Sequence, residues 1–71
     1  SLNDYLVLTK RRPLEPKWWL GAAISADNLH QSALAFHAFS QVVKIDTQQT
    51  LSPNVHHYAQ ERMARLREVV K

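Results

Sequence analysis

The stretch Gln31-Ser-Ala-Leu-Ala-Phe-His-Ala-Phe-Ser-Gln-Val-Val-Lys44 is apolar around most of a helical circumference. A helix with so little polar surface must be covered by neighbours on nearly every side. Residues 31–44 therefore predict the central helix of an all-α fold, enclosed by helices from the rest of the chain. The narrow polar stripe that remains is made by His30, His37, Gln41 and Lys44.

A short helix is predicted before this stretch, over residues 2–12. Apolar residues recur there at helical spacing, and Pro13 ends the pattern because proline cannot continue a helix. The string Tyr5-Leu-Val-Leu-Thr9 also fits a strand, so both interpretations stay open at this point. The apolar residues at helical spacing are Leu2, Tyr5, Leu6 and Leu8.

The next predicted helix covers residues 16–28 and is expected to contact two neighbours. Pro16 occupies its first turn, where a proline has no hydrogen bond to lose, and Glu15 takes the cap position. Two apolar stripes run along this helix, and each stripe needs its own packing partner. One stripe contains Trp19, Ala22, Ala23 and Ala26, and the other contains Leu20, Ile24 and Asp27.

A polar connector leads to the last predicted helix, over residues 53–71. Ser52 followed by Pro53 is an N-cap followed by a first-turn proline. The helix is amphipathic, with its apolar face expected to pack on the central helix. Across the whole chain, the side chains expected to be buried are Trp19, Ala23, Ala35, Phe36, Phe39, Val42, Tyr58 and Met63.

Composition limits the class of protein. A chain of 71 residues that is 45% hydrophobic, with one glycine and three prolines, suits a small helical domain better than a turn-rich β fold. The absence of cysteine excludes disulfides, thiolate metal sites and cysteine nucleophiles. No apolar run is long enough to span a membrane. The chain begins at Ser1 rather than at a methionine, so we expect a segment of a larger protein.

Similar residues recur at an interval of 34 positions. Repeats of this length are typical of stacked helical hairpins, whose units build surfaces for other proteins. Only one full interval fits in the chain, so the repeat is a hypothesis about architecture. The matched pairs are Tyr5 and Phe39, Leu8 and Val42, and Lys10 and Lys44.

Three groups of positions resemble the tetratricopeptide repeat, a unit of two antiparallel helices. The first helix of that unit has a bulky residue and then a small one four positions later, as Trp19 and Ala23 are placed here. The second helix has a small residue, an aromatic and an apolar residue, which match Ala35, Phe39 and Val42. Tyr5, Leu8 and Pro13 match the end of a preceding unit. The string Trp18-Trp19-Leu20-Gly21 also resembles repeat regions of bacterial pilus-biogenesis and secretion proteins.

The chain departs from the family pattern at several positions. Ala22, Ala26 and Thr47 stand where the family more often has Leu, Tyr and Pro, and His30 replaces the usual turn glycine. An alternative register uses Leu20 and Gly21 as the large and small pair. That register would place His37 at the buried aromatic position, which the polar stripe disfavours, so we prefer the Trp19 register.

The resemblance implies one segment over residues 1–71, with a helix of a preceding hairpin at 2–12, a complete hairpin at 16–45 and a closing helix at 53–71. The implied function is a non-catalytic scaffold or adaptor, whose helical groove binds a partner protein or peptide, or neighbouring repeats of the same chain. In arrays of this family, the groove is lined by the side of the first helix that turns away from its hairpin partner. The implied partner-binding residues are Lys17, Leu20, Ile24, Asp27, His56 and Gln60.

Metal binding and catalysis find little support in the residue spacing. His30 and His37 would lie about 10 Å apart along a helix, and His56 and His57 would point about 100° apart. No histidine pair has the i,i+4 spacing that places two ligands on one helical face. Paired carboxylates, a phosphate loop and a nucleophile with an evident base are also missing. We therefore expect no metal, no cofactor and no enzymatic activity.

The charge distribution leaves two other functions open. The net charge is +3, and basic residues cluster at 10–12 and along the last helix. Such clusters bind nucleic acid or anionic membranes, although cations at helix C-termini are also favoured by the helix dipole. We rank a basic module of this kind below the scaffold. A purely structural domain that associates into homo-oligomers is the other alternative.

Overall fold

The computed structural model describes residues 1–47 and 51–70, with side chains to residue 69. The helices are α1 (Leu2–Arg11), α2 (Pro16–Asn28), α3 (Ser32–Ile45) and α4 (Pro53–Val70). The described residues contain no strand, so the all-α prediction is confirmed and the strand interpretation of residues 5–9 is wrong. None of the helices in the described part of the chain is long and apolar enough to cross a bilayer.

Local sequence signals set the helix ends. The Ser1 hydroxyl accepts a hydrogen bond from the Asp4 amide at 3.4 Å, which caps α1. Glu15 is the N-cap residue of α2 and Pro16 its first residue. The Ser52 hydroxyl accepts a hydrogen bond from the Val55 amide at 3.3 Å at the start of α4. The two serine hydroxyls each satisfy a backbone N–H in the first turn of their helix, whereas the Glu15 side chain makes no capping hydrogen bond.

The chain reverses between α2 and α3 at His30, which has a positive φ of 60°. The Gln31 amide donates to the Ala26 carbonyl at 2.9 Å, and the His30 amide donates to the Asp27 carbonyl at 3.0 Å. This pair of bonds is a Schellman motif, which usually has glycine at the left-handed position. His30 therefore belongs to the turn, and its predicted place on the polar stripe of the central helix is wrong.

The helices pack in chain order: α1 on α2, α2 on α3, and α3 on α4. The Cα atoms span 27 × 26 × 16 Å, and the shortest of these dimensions matches two layers of helices. Among the described residues, alanines make up most of the buried apolar core, and the largest fully buried side chains are Phe39 and Val42. Small core residues let the helix backbones approach closely. Several other large apolar side chains, among them Trp19, Leu34 and Phe36, pack against this core and are half-buried.

The predicted core is confirmed in part. Ala23, Ala35, Phe39 and Val42 have no exposed surface. Trp19, Phe36 and Met63 are only half-buried, because they pack against the alanine core from outside. Tyr58 is 40% exposed, so its predicted burial is wrong. The Tyr58 and Phe39 rings pack in a T-shaped arrangement with 5.8 Å between their centroids, and the Tyr58 ring lies on the solvent side of this contact.

Within α3, Phe39 is buried and His37 is exposed. Gly21, the small residue of the alternative register, faces the ring of Tyr5 in α1. A Cβ atom on Gly21 would clash with three carbons of that ring. Glycine at this position therefore lets α1 lie close against α2.

Candidate functional site

The predicted partner-binding residues of α2 lie along one side of the helix, at spacings of three, four and three residues. Leu20 is half-buried and packs against the core, whereas Ile24 is 37% exposed. Lys17 is exposed, and its Nζ atom lies 4.9 Å from the centroid of the Trp18 ring. This side of α2 therefore has an apolar surface that is covered at Leu20 and open at Ile24.

Asp27, at the end of the same side, pairs with Arg62 of α4. Nη2 of Arg62 donates to Oδ1 of Asp27 at 2.6 Å, and both side chains are partly shielded from solvent. This hydrogen bond raises the pKa of Arg62, and partial burial opposes the shift. The Nε atom of Arg62 is buried without a hydrogen-bond partner among the described residues. Asp27 thus links two helices.

His56, predicted for the same groove, is nearly buried against Asp46. Its Nε2 atom lies 2.7 Å from Oδ2 of Asp46, and that oxygen also accepts a hydrogen bond from the Leu51 amide at 2.9 Å. These contacts join the end of α3 to the start of α4. Gln60, the remaining predicted residue, is exposed on α4. Binding of a partner by these six residues stays a prediction.

A different face carries two adjoining pockets, of about 630 and 460 Å³, neither lined by the six predicted residues. Both pockets include Trp19 and His37, so together they form one groove, here called the Trp19 groove. Its walls come from α1 and α3, and the connection between α1 and α2 closes one end. The lining residues are Asn3, Leu6, Val7, Thr9, Lys10, Pro13, Leu14, Trp19, Leu34, His37, Gln41, Lys44 and Ile45.

Two contacts hold Trp19 at the centre of this groove. Its Nε1 atom donates a hydrogen bond to the Pro13 carbonyl at 2.9 Å. Its ring meets His37 edge-on, with 5.7 Å between centroids. Because the indole N–H already has a partner, the ring offers mainly apolar surface to a ligand.

The rim of the Trp19 groove combines exposed apolar groups with cations. Leu14 is 80% exposed and Val7 is 49% exposed. The lining residues that can carry charge are Lys10, His37 and Lys44, and none of the carboxylates among the described residues lines either pocket. This arrangement suits apolar contact with an anionic group. The described residues also include no group of three or more His, Cys, Asp or Glu residues that could hold a metal ion.

Sequence reasoning did not identify the Trp19 groove, although two signals pointed to it. The lining residues of α3 include the polar stripe His37, Gln41 and Lys44. Lys10 and Lys44, which are 34 residues apart, occur in the last turns of α1 and α3. Two lysines at the 34-residue spacing therefore line the same groove. Comparisons of the chain with protein-family models, with curated proteins and with solved structures found no match.

Proposed function

We propose that this chain is a non-catalytic segment of a helical scaffold or adaptor of the tetratricopeptide type, which binds a partner protein or peptide. The observation that carries the proposal is the placement of large apolar side chains. Alanines fill the core, while Trp19, Leu20, Phe36 and similar residues pack around it with part of their surface in water. Surface of this kind becomes favourable when a second molecule or a neighbouring repeat covers it.

The energetic argument follows from the size of these side chains. Fully burying a Val, Leu or Ile side chain contributes about 1.5–3 kcal/mol. A side chain that stays partly exposed gains only a part of this free energy, in proportion to its buried area. Val7 and Leu14 line the Trp19 groove, Ile24 lies on α2, and all three are open to solvent. A partner that covered one such patch would recover part of that free energy.

The packing order supports a repeat architecture. Each helix packs on the next one along the chain, and short connections join α1 to α2 and α2 to α3. Stacked hairpins need this order, because a repeat unit buries its apolar faces against its neighbours.

A basic module that contacts an anionic surface is the second candidate. Lys10 and Arg11 occupy the last turn of α1, and Arg12 follows directly. The exposed Leu14 side chain lies beside this cluster. An exposed apolar residue next to basic residues is typical of peripheral membrane contact, and the same cluster could neutralise nucleic-acid phosphates.

Selection from an unbiased library of displayed peptides, each about 16 residues long, tests the proposal directly. Binding of labelled single-stranded DNA and of phosphatidylserine vesicles is measured in parallel between about 50 and 300 mM salt. We expect a family of related peptides to be enriched, and their binding to persist at the higher salt. Failure to enrich any peptide, together with salt-sensitive DNA or vesicle binding, would favour the basic module instead.

The predicted groove on α2 is tested with the enriched peptides. Ile24→Ser and Leu20→Ser are compared for helicity by circular dichroism and for peptide binding. Lost binding with retained helicity would place the partner on this side of α2. Unchanged binding by a folded Ile24→Ser variant would exclude it, and unfolding of both variants would show that the two residues are core.

A further inference from the structure

We infer that the Trp19 groove binds a short partner segment in which apolar residues are accompanied by Asp or Glu. The inference rests on the proposed function and names the chemistry of the partner and the face that receives it. The apolar part of the segment would lie on Trp19, and its carboxylates would meet the cations at the rim.

Shape favours a protein segment over a flat surface. The two pockets are concave and meet at the Trp19 and His37 rings, with a combined volume sufficient for several side chains. A lipid bilayer cannot follow a concave groove, whereas a helix or extended peptide can insert side chains into it.

Charge selects among protein segments. Lys10 and Lys44 line the groove and are exposed in the last turns of α1 and α3, and within the described part of the chain no carboxylate lines either pocket. A basic segment would be repelled by both cations, whereas an acidic segment would be attracted during approach and held in register. The net charge of +3 likewise disfavours a second copy of this chain as the occupant.

The peptides selected on the native chain are then tested for binding to charge-reversed protein. In one variant, Lys10→Glu is combined with Lys44→Glu. The matched control combines Arg65→Glu with Arg67→Glu, which changes the net charge equally at exposed positions of α4. Peptides selected on the native chain should be apolar and acidic. They should bind the groove variant about tenfold more weakly and the control within about twofold of the native chain.

A second measurement locates the bound peptide. The chain has two tryptophans, so Trp18→Phe leaves Trp19 as the sole indole fluorophore. Binding of an acidic peptide should shift the Trp19 emission to shorter wavelength, because the half-exposed ring becomes covered. If the charge-reversed variant does not fold, Lys10→Gln combined with Lys44→Gln tests the same cations without adding carboxylates.

The outcomes separate the two proposals. Enriched peptides that lack acidic residues, that bind the groove variant as well as the native chain, or that leave Trp19 emission unchanged would overturn this inference and leave the proposed function standing. If no peptide is enriched, the proposed function itself fails. A Trp19 shift caused only by phosphatidylserine vesicles would assign the groove to a membrane and overturn the inference.

Discussion

Asp27 and Arg62 are 35 residues apart in sequence, yet the Arg62 guanidinium donates a hydrogen bond to the Asp27 carboxylate at 2.6 Å. Asp27 lies in the last turn of α2, and Arg62 lies in the middle of α4. Since α3 packs between these helices, the pair joins the two outer members of a three-helix unit. Asp27 therefore has a partner within the fold, and its predicted role in binding another protein stays a prediction.

Replacing Asp27 with Asn should therefore lower the free energy of unfolding by about 1 kcal/mol, a value reduced by the partial exposure of the pair. Arg62→Met should cost a similar amount, and the double variant less than the sum, as urea unfolding would measure. Additive losses would show that the pair is not coupled. Because the pKa of Arg62 is raised, its contribution is complete below the ordinary arginine pKa and is lost only at higher pH. Stability between pH 6 and 9 should thus owe no pH dependence to this guanidinium.

Phe39 is the largest side chain with no exposed surface, so its truncation should be the most damaging single change in α3. Phe39→Ala is expected to cost about 3–5 kcal/mol, which is most of the stability of a small domain. Phe36→Ala is the matched control, because Phe36 is only half-buried in the same helix. Thermal unfolding followed by circular dichroism measures both. Equal melting of Phe39→Ala and the native chain would contradict the assigned core.

The contact between Gly21 and Tyr5 predicts that the effect of Gly21→Ala on the free energy of unfolding reverses when Tyr5 is replaced. Gly21→Ala should gain about 1 kcal/mol of helix propensity, but the added methyl must displace the Tyr5 ring, which costs about 1–3 kcal/mol. The substitution should therefore be neutral or destabilising in the native chain. In a Tyr5→Ala background no side-chain atom beyond Cβ is left to clash, and the same substitution should stabilise. A stabilising Gly21→Ala in the native chain would show that the ring moves aside without cost.

Two adjacent histidines provide a matched comparison. His56 contacts the buried Asp46 carboxylate. His57 is exposed on the surface of α4, and its Nε2 atom lies 3.4 Å from Oε1 of Glu61. His56→Ala should cost about 1–3 kcal/mol, because a buried carboxylate loses a hydrogen-bond partner. His57→Ala should change stability by less than about 0.5 kcal/mol. Equal losses in urea unfolding would mean that the contact between His56 and Asp46 contributes little.

The turn at His30 predicts a stabilising substitution. A non-glycine residue in the left-handed region costs about 1–2 kcal/mol, which glycine at this position would avoid. Part of this gain is offset because glycine increases the conformational entropy of the unfolded chain. His30→Gly should accordingly raise the melting temperature. Ala64→Gly, at an exposed position inside α4, should lower it, since glycine there costs about 1 kcal/mol in helix propensity. A lower melting temperature for His30→Gly would indicate that the imidazole makes a stabilising contact.

The sequence alone determined the helices and most of their ends. The information is local: Pro16 and Pro53 suit only a first helical turn, Ser52 supplies a cap, and apolar spacing within each segment selects a helix. The burial of Phe39 followed from the same spacing, because the central helix has few polar positions to turn outward. These features depend on residues within a few positions of one another.

Tertiary structure alone decided which surfaces meet and which stay open. The partners Asp27 and Arg62 are separated by a whole helix, and the half-buried position of Trp19 depends on how α1 and α3 flank α2. Tyr58 has the spacing of a core residue but lies outside Phe39, where no further helix of the described chain covers it. Spacing shows that a side chain is on an apolar face, whereas its burial depends on how closely the neighbouring helix approaches. In this chain, that approach is governed by small residues in distant segments, such as Gly21 against Tyr5.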